Sequence, residues 1–426
     1  MVINRQLTAG ERAPIHYAFS PLGRLPTELL QNIFLYVTEP YTLLLVCKYW
    51  QRVADKLSPL WDMVVFDPAK QTARTAASLL RQLESGRYKP IKVDIAGWPR
   101  QVEHEALLKV VQYCLTNLRH TQQLSINLDI EGSTVAFKEV VRVQDAPALG
   151  DFRLKCDDPG VNPIVLELPL LNDTKSLRHV EIWRVPLGKS PVSLVNLQSL
   201  AIHRLPRISS TDIMDLMKNN PGLTSFSVVY STSGWPWDPI EFPVLERLTL
   251  ALSRGDFPLI IRVFKTPKLQ HLYLTAPFDR LSVQYILETF PLANIRTLCL
   301  TSPNQPLFVG TVLHQVIEKC TSLTHLTLCD RSYDPKPIAT CLRSILSLSP
   351  DGCPKLPHLS TLGLPSWMTS PALLLAFGEI LKLKTWGSIV LYGEGPGELE
   401  LRDLKWRYRR LPPIVWKAYS PEMQPL

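Results

Sequence analysis

One recurring phrase limits the folding of this chain more than any other feature: proline, any residue, leucine, two variable residues, then apolar, variable, apolar. It occurs as PALGDFRL (Pro147–Leu154), PGLTSFSV (Pro221–Val228), PVLERLTL (Pro243–Leu250), PKLQHLYL (Pro267–Leu274) and PHLSTLGL (Pro357–Leu364). Chance supplies roughly one copy or fewer at this composition, so five copies are informative and point to a repeated unit. Versions without the proline fall between them: LRHVEI (Leu177–Ile182), LQSLAI (Leu197–Ile202), IRTLCL (Ile295–Leu300) and LTHLTL (Leu323–Leu328). Looser matches come easily to a chain with 70 leucines, so the weight rests on the five. The alternation closing each phrase is that of a strand with one side buried.

The phrases begin at residues 149, 177, 197, 223, 245, 269, 295, 323 and 359, spaced 20 to 36 residues apart. Between them Thr211–Lys218, Leu281–Phe290 and Thr311–Lys319 read as helices, each ending just before the next strand. Each strand–turn–helix unit has an apolar edge that only a neighbouring unit can cover. Upstream, Met63–Phe66, Ile91–Ile95 and Gln123–Leu128 read as strands, and Thr75–Leu83 and Glu103–Leu115 as helices. The fold class expected is an α/β solenoid over residues 63–395, preceded by a helical module at 21–62 and followed by a basic tail or cap at 396–426. Most intervals are similar to the 20–29 residues of leucine-rich repeats, and the last implies an insertion.

The helical module has its own pattern. Pro26 suits a first helical turn and Glu28 sits at its positive end. Leu29, Leu30, Ile33, Phe34 and Val37 then follow at helical spacing. Glu39-Pro40 ends that helix, and a second runs from Leu43 to Val53 with Leu43, Leu44, Val46, Cys47, Trp50 and Val53 apolar. Ser58-Pro59 stops it before Leu60-Trp61. Below about 40 residues a lone core is insufficient, so either a partner or the following domain covers part of this surface.

Leu25-Pro26-x-Glu28-Leu29, Ile33-Phe34, Val46-Cys47-Lys48-x-Trp50 and Leu60-Trp61 together closely resemble the F-box. The stretch Thr38–Leu45 is a couple of residues shorter than that family's usual pattern. The resemblance implies a three-helix module that docks on the Skp-family adaptor, and through it a cullin, in Skp–cullin–F-box ubiquitin ligases. It makes Leu25, Pro26, Leu29, Ile33, Val46, Cys47 and Trp50 the adaptor-facing or module-stabilising positions. An F-box followed by irregular leucine-rich repeats is also similar in arrangement to the F-box proteins abundant in mushroom-forming fungi.

In each repeat strand one set of alternating positions points inward and the other to the exposed face. The outward set contains Asp151, Arg153, Lys155, His179, Glu181, Trp183, His203, Arg247, Thr249, His271, Tyr273, Thr297, Cys299, His325 and Thr327. Arg, His, Tyr and Trp together suit recognition of a protein. Of these, Arg153, His179, Glu181, Trp183, His203, Arg247, His271, Tyr273 and His325 are the candidate substrate-contacting residues. Trp235 and Trp237, in a long connection, are either an exposed anchor or a folded-back plug.

Charge and chemistry narrow the function classes. Of the net +8, five charges come from residues 401–417, where Arg402, Lys405, Arg407, Arg409, Arg410 and Lys417 oppose Asp403. The rest is nearly balanced, which gives nucleic-acid binding no general support; a contact through the tail, where Trp406 and Tyr408 interleave, would lose affinity steeply with salt. Eight scattered cysteines without a CxxC pair read as reduced thiols, hence cytoplasm or nucleus. Met1–Ser20 lacks the apolar run of a secretory signal, and no long uncharged apolar run reads as membrane-spanning.

Gly188-Lys189-Ser190 lacks the first glycine of a phosphate loop, and His104-Glu105-x-x-Leu108 lacks the second histidine of a zinc protease. Gly393-Glu394-Gly395-Pro396-Gly397 has no helix after it to present amides to a phosphate. No catalytic residues, metal ligands or cofactor are expected. The F-box resemblance implies a non-catalytic receptor subunit that brings a protein substrate to the ligase. A protein-interaction scaffold that delivers nothing for destruction is the alternative.

Overall fold

The computed structural model describes residues 25–37, 42–57, 60, 63–66, 73–84, 92–96, 109–110, 112–114, 118–128, 144–156, 171–172, 175–183, 194–203, 210–229, 239–251, 257–276, 278, 280–302, 313–330, 355–365, 388–392 and 414–417. Two compact units divide the chain, Met1–Leu149 and Gly150–Leu426. Residues 104–105, 188–190, 235–237, 341, 353, 393–397 and 401–413 lie outside the described residues.

The first unit opens with helix α1 (Thr27–Phe34), entered through Pro26 in an extended conformation whose carbonyl accepts the Leu30 N–H at 3.1 Å. The single helix expected over Leu43–Val53 is two. α2 (Leu43–Val46) ends at Cys47, which is extended at φ −168° and ψ 164°, and α3 (Lys48–Asp55) starts after it. Cys47 Sγ accepts the Trp50 N–H at 3.4 Å, so the thiol caps α3 where an unbroken helix would have no free donor. Three parallel strands follow: β1 (Met63–Phe66), β2 (Lys92–Ile95) and β3 (Gln123–Leu128), with Met63 opposite Lys92 and Lys92 opposite Gln123. Helix α4 (Ala73–Glu84) lies in the β1–β2 crossover and buries Ala76, Leu79 and Leu83 at helical spacing. The Tyr113 hydroxyl donates to the Leu83 carbonyl at 2.8 Å near the end of α4.

The second unit is an eleven-stranded, all-parallel sheet with helices in its crossovers, an α/β solenoid-like arrangement. In chain order, which is also spatial order, its strands are β4 (Asp151–Cys156), β5 (His179–Trp183), β6 (Ser199–His203), β7 (Ser225–Val229), β8 (Arg247–Ala251), β9 (His271–Thr275), β10 (Thr297–Ser302), β11 (His325–Asp330), β12 (Thr361–Pro365), β13 (Ser388–Tyr392) and β14 (Ile414–Lys417). The helices are α5 (Ser210–Lys218), α6 (Phe257–Val263), α7 (Arg280–Thr289) and α8 (Leu313–Lys319); α6 packs on α7, and α7 on α8. β14 falls inside the segment expected as a tail or cap and extends the sheet by pairing with β13. Among the described residues, no helix is long and apolar enough to cross a membrane.

Register explains the repeat phrase. Phe152, Val180, Leu200, Phe226, Leu248, Leu272, Leu298 and Leu326 lie opposite one another from β4 to β11, and all are buried. A second buried row runs Leu154, Ile182, Ile202, Val228, Leu250, Leu274, Leu300 and Leu328. The phrase's first leucine closes a turn: the N–H of Leu223, Leu245 and Leu269 donates to the carbonyl of Asn220, Phe242 and Thr266, at 3.2, 3.3 and 3.2 Å. Proline stands second in each turn, where its fixed φ favours the bend, and the residue before it is buried. At Cys320–Leu323 the same bond, 3.0 Å, forms without a proline. Phe226, Phe242 and Phe264 are fully buried and pack on one another, with ring centroids 5.8 to 6.5 Å apart.

Candidate docking faces

Helix α1 shows how the first face arises. Leu30 and Phe34, one turn apart, are fully buried together with Ala54, and Leu43, Val53 and Leu60 are nearly so. Leu29 and Ile33, each one position earlier, are rotated off that face and remain 50% and 48% exposed. Val46, at the end of α2, is 56% exposed, and Pro26 is also exposed. Leu25, Cys47 and Trp50 are half-buried. Cys47 is the α3 cap, and the Trp50 ring lies 5.1 Å from Phe34, so both brace the module as well as edging its surface. Two neighbours absent from the sequence reading are open as well: Leu35 at 48% and Tyr36 at 88%. The spacing Leu29, Ile33, Tyr36 was a legible signal for the latter, since those positions share one helical side.

On the second unit, alternation places the outward residues in rows. One row runs Asp151, His179, Ser199, Ser225, Arg247, His271, Thr297 and His325; the next runs Arg153, Glu181, Ala201, Ser227, Thr249, Tyr273, Cys299 and Thr327. Arg153 pairs with Asp151 at 3.2 Å and approaches Glu181 at 3.9 Å, while His179 is exposed beside them. The third row is not the open surface expected. Trp183 and His203 are 8% and 3% exposed and stack on each other with centroids 4.7 Å apart, and Lys155 Nζ lies 5.5 Å from the centre of the Trp183 ring. Aromatic area gains more from stacking than from contact with water, and the pair closes this part of the face. Thr249, Cys299 and Thr327 are buried too. The residues of this face that stay at least partly open therefore include those of the first row together with Arg153, Glu181 and the half-buried Tyr273.

Electrostatics differ between the two ends of the first row. His271 Nδ1 is 3.0 Å from Thr297 Oγ1. Its basicity is lowered by partial burial, then by the nearby charges of Arg247, Arg296 and His325, with Glu246 opposing. Elsewhere, burial raises the thiols of Cys114 and Cys320 to about 12. Among the described residues no three His, Cys, Asp or Glu side chains cluster as metal ligands would.

No curated protein is matched by this chain. Residues 22–67 match the family model described as F-box-like, the segment in which Leu30 and Phe34 are buried and Leu29, Ile33 and Val46 are not.

Proposed function

We propose that this chain is the substrate-recognition subunit of a Skp–cullin–F-box ubiquitin ligase. The module at 22–67 docks a Skp-family adaptor, and through it a cullin, by Leu25, Pro26, Leu29, Ile33, Val46, Cys47 and Trp50. The repeat unit, read as an irregular leucine-rich-repeat array like those of fungal F-box proteins, holds the protein substrate. The observation that carries this reading is an F-box-like segment that buries Leu30, Phe34, Val53 and Ala54 while Leu29, Ile33 and Val46 stay exposed. Apolar side chains left open beside buried ones mark a surface that a partner covers.

The mechanism is proximity. Holding an acceptor lysine near a charged conjugating enzyme replaces a bimolecular encounter with a local one, and no residue of this chain takes part in the bond changes. The site of action is the cytoplasm, the nucleus or both.

The test is co-purification of the full chain with a Skp-family adaptor, beside a Leu29→Asp/Ile33→Asp variant. Anchors at the centre of such an interface contribute roughly 2 kcal/mol each, so the double variant loses the adaptor while its circular dichroism and melting stay unchanged. Adaptor binding that survives both substitutions would refute the assignment of this face. Ubiquitination of a co-purified partner by the assembled complex separates a receptor from a scaffold.

A further inference from the structure

The outward row is electrically lopsided. Across β8 to β11 it presents Arg247, His271 and His325, and Arg296 stands immediately before β10. Arg247, Arg296 and His325 are exposed and His271 is half-buried. Glu246 is the carboxylate acting on His271, against three cationic neighbours. Neither arginine has an ion pair or a side-chain hydrogen bond among the described residues, whereas Arg153 on β4 does. Like charges gathered on adjacent strands without partners repel one another, and a fold gains nothing from that arrangement unless an anion is to be received.

The hydrogen bonds hold the imidazoles in place. Thr324 Oγ1 gives its only proton to the Arg296 carbonyl at 2.9 Å, so in its 2.8 Å contact with His325 Nδ1 the hydroxyl accepts and Nδ1 carries the hydrogen. Strands are spaced about 4.8 Å apart, so the row spans about 14 Å. An extended peptide covers that distance in about four residues.

We propose that Arg247, His271, Arg296 and His325 form a docking strip for an acidic, extended segment of a partner protein, its Asp and Glu side chains laid across β8–β11. This rests on the repeat unit being the substrate-holding part of the proposed receptor, and it defines that substrate by charge. The carboxylates offset the neighbouring charges that lower the basicity of His271, so binding favours its protonated form. Affinity rises as pH falls through the histidine range, where Asp and Glu remain ionised.

The experiment uses the full chain without adaptor, so it stands or falls separately from adaptor docking. A fluorescein-labelled octapeptide of alternating Asp and Glu, and its Asn/Gln counterpart, are titrated by anisotropy at pH 7.5 and 6.0. The acidic peptide binds and the neutral one does not. Arg247→Glu/Arg296→Glu weakens binding by about tenfold or more, and added salt weakens it in the wild type. Lys218→Glu/Lys319→Glu, the same change in net charge on exposed lysines of α5 and α8, leaves binding unchanged. His271→Gln removes the tightening between pH 7.5 and 6.0. Equal binding of the two peptides, equal loss in the lysine control, or wild-type binding indifferent to pH overturns the strip.

Discussion

Asn220 offers the sharpest test of how the repeats are joined. It is fully buried at the end of α5. Its Oδ1 accepts the Leu197 N–H at 2.8 Å, and its Nδ2 donates to the carbonyls of Leu194 at 2.8 Å and Leu216 at 2.6 Å. One amide thus closes the last turn of a helix and ties it to the turn before β6. Asn220→Ala leaves one N–H and two carbonyls buried without partners. Each such group costs about 1–3 kcal/mol, so the loss is roughly 3–6 kcal/mol after partial relaxation. That is a large share of the 5–15 kcal/mol (roughly) that holds a typical domain folded.

The assay is urea unfolding followed by circular dichroism, read as the shift in midpoint at unchanged slope. Asn220→Asp discriminates the cause, because it keeps shape and volume. Aspartate retains the acceptor for Leu197 but turns an anionic oxygen toward two carbonyls in a dry site, so at pH 7 it is no better than alanine. Burial and the carbonyls raise that carboxyl above its unfolded value, so the folded state binds the extra proton. Stability of this variant is therefore lost as pH rises through the raised folded value and returns on acidification toward about pH 4. Wild-type stability for Asn220→Asp at pH 7, or a loss under about 1 kcal/mol for Asn220→Ala, would refute the hydrogen-bond argument.

Two further outcomes follow from burial. Phe242→Ala empties the space beside Phe226 and Phe264 and should lower stability by about 3–5 kcal/mol in the same urea assay, with Phe242→Leu losing less than half of that. Cys114 and Cys320, whose thiols burial raises to about 12, stay unmodified by iodoacetamide at pH 7.5 and are alkylated in urea, as mapped by peptide mass. Labelling of either in the native protein at the unfolded rate contradicts the packing around it.

What was legible in the sequence is what periodicity encodes. The alternation in PVLERLTL reports a strand, its leucines report the inward rows, and its proline reports the turn; all three are local, so they survive without tertiary information. The misses share another cause. Leu29 and Leu30 are the same residue type in the same pattern, and the sequence leaves open which is core and which is surface until packing buries Leu30. The break at Cys47 depends on a thiol accepting one N–H, which no propensity for Leu43–Val53 contains. Strand β14 carries charge at Lys417 and sits beside a basic run, so its pairing with β13 was hidden by composition.

Alternation leaves Trp183 and His203 open because it gives the side of a sheet and not what buries the residues on it. The same limit turns to advantage at Arg247 and His271. Their alternation places them outward just as it does Trp183 and His203, and the difference is that nothing described neutralises the arginine. A face read from sequence is thus a set of candidates. Burial removes some, internal ion pairs such as Asp151–Arg153 remove others, and the groups that remain charged, outward and unpaired are where a partner's chemistry can be inferred.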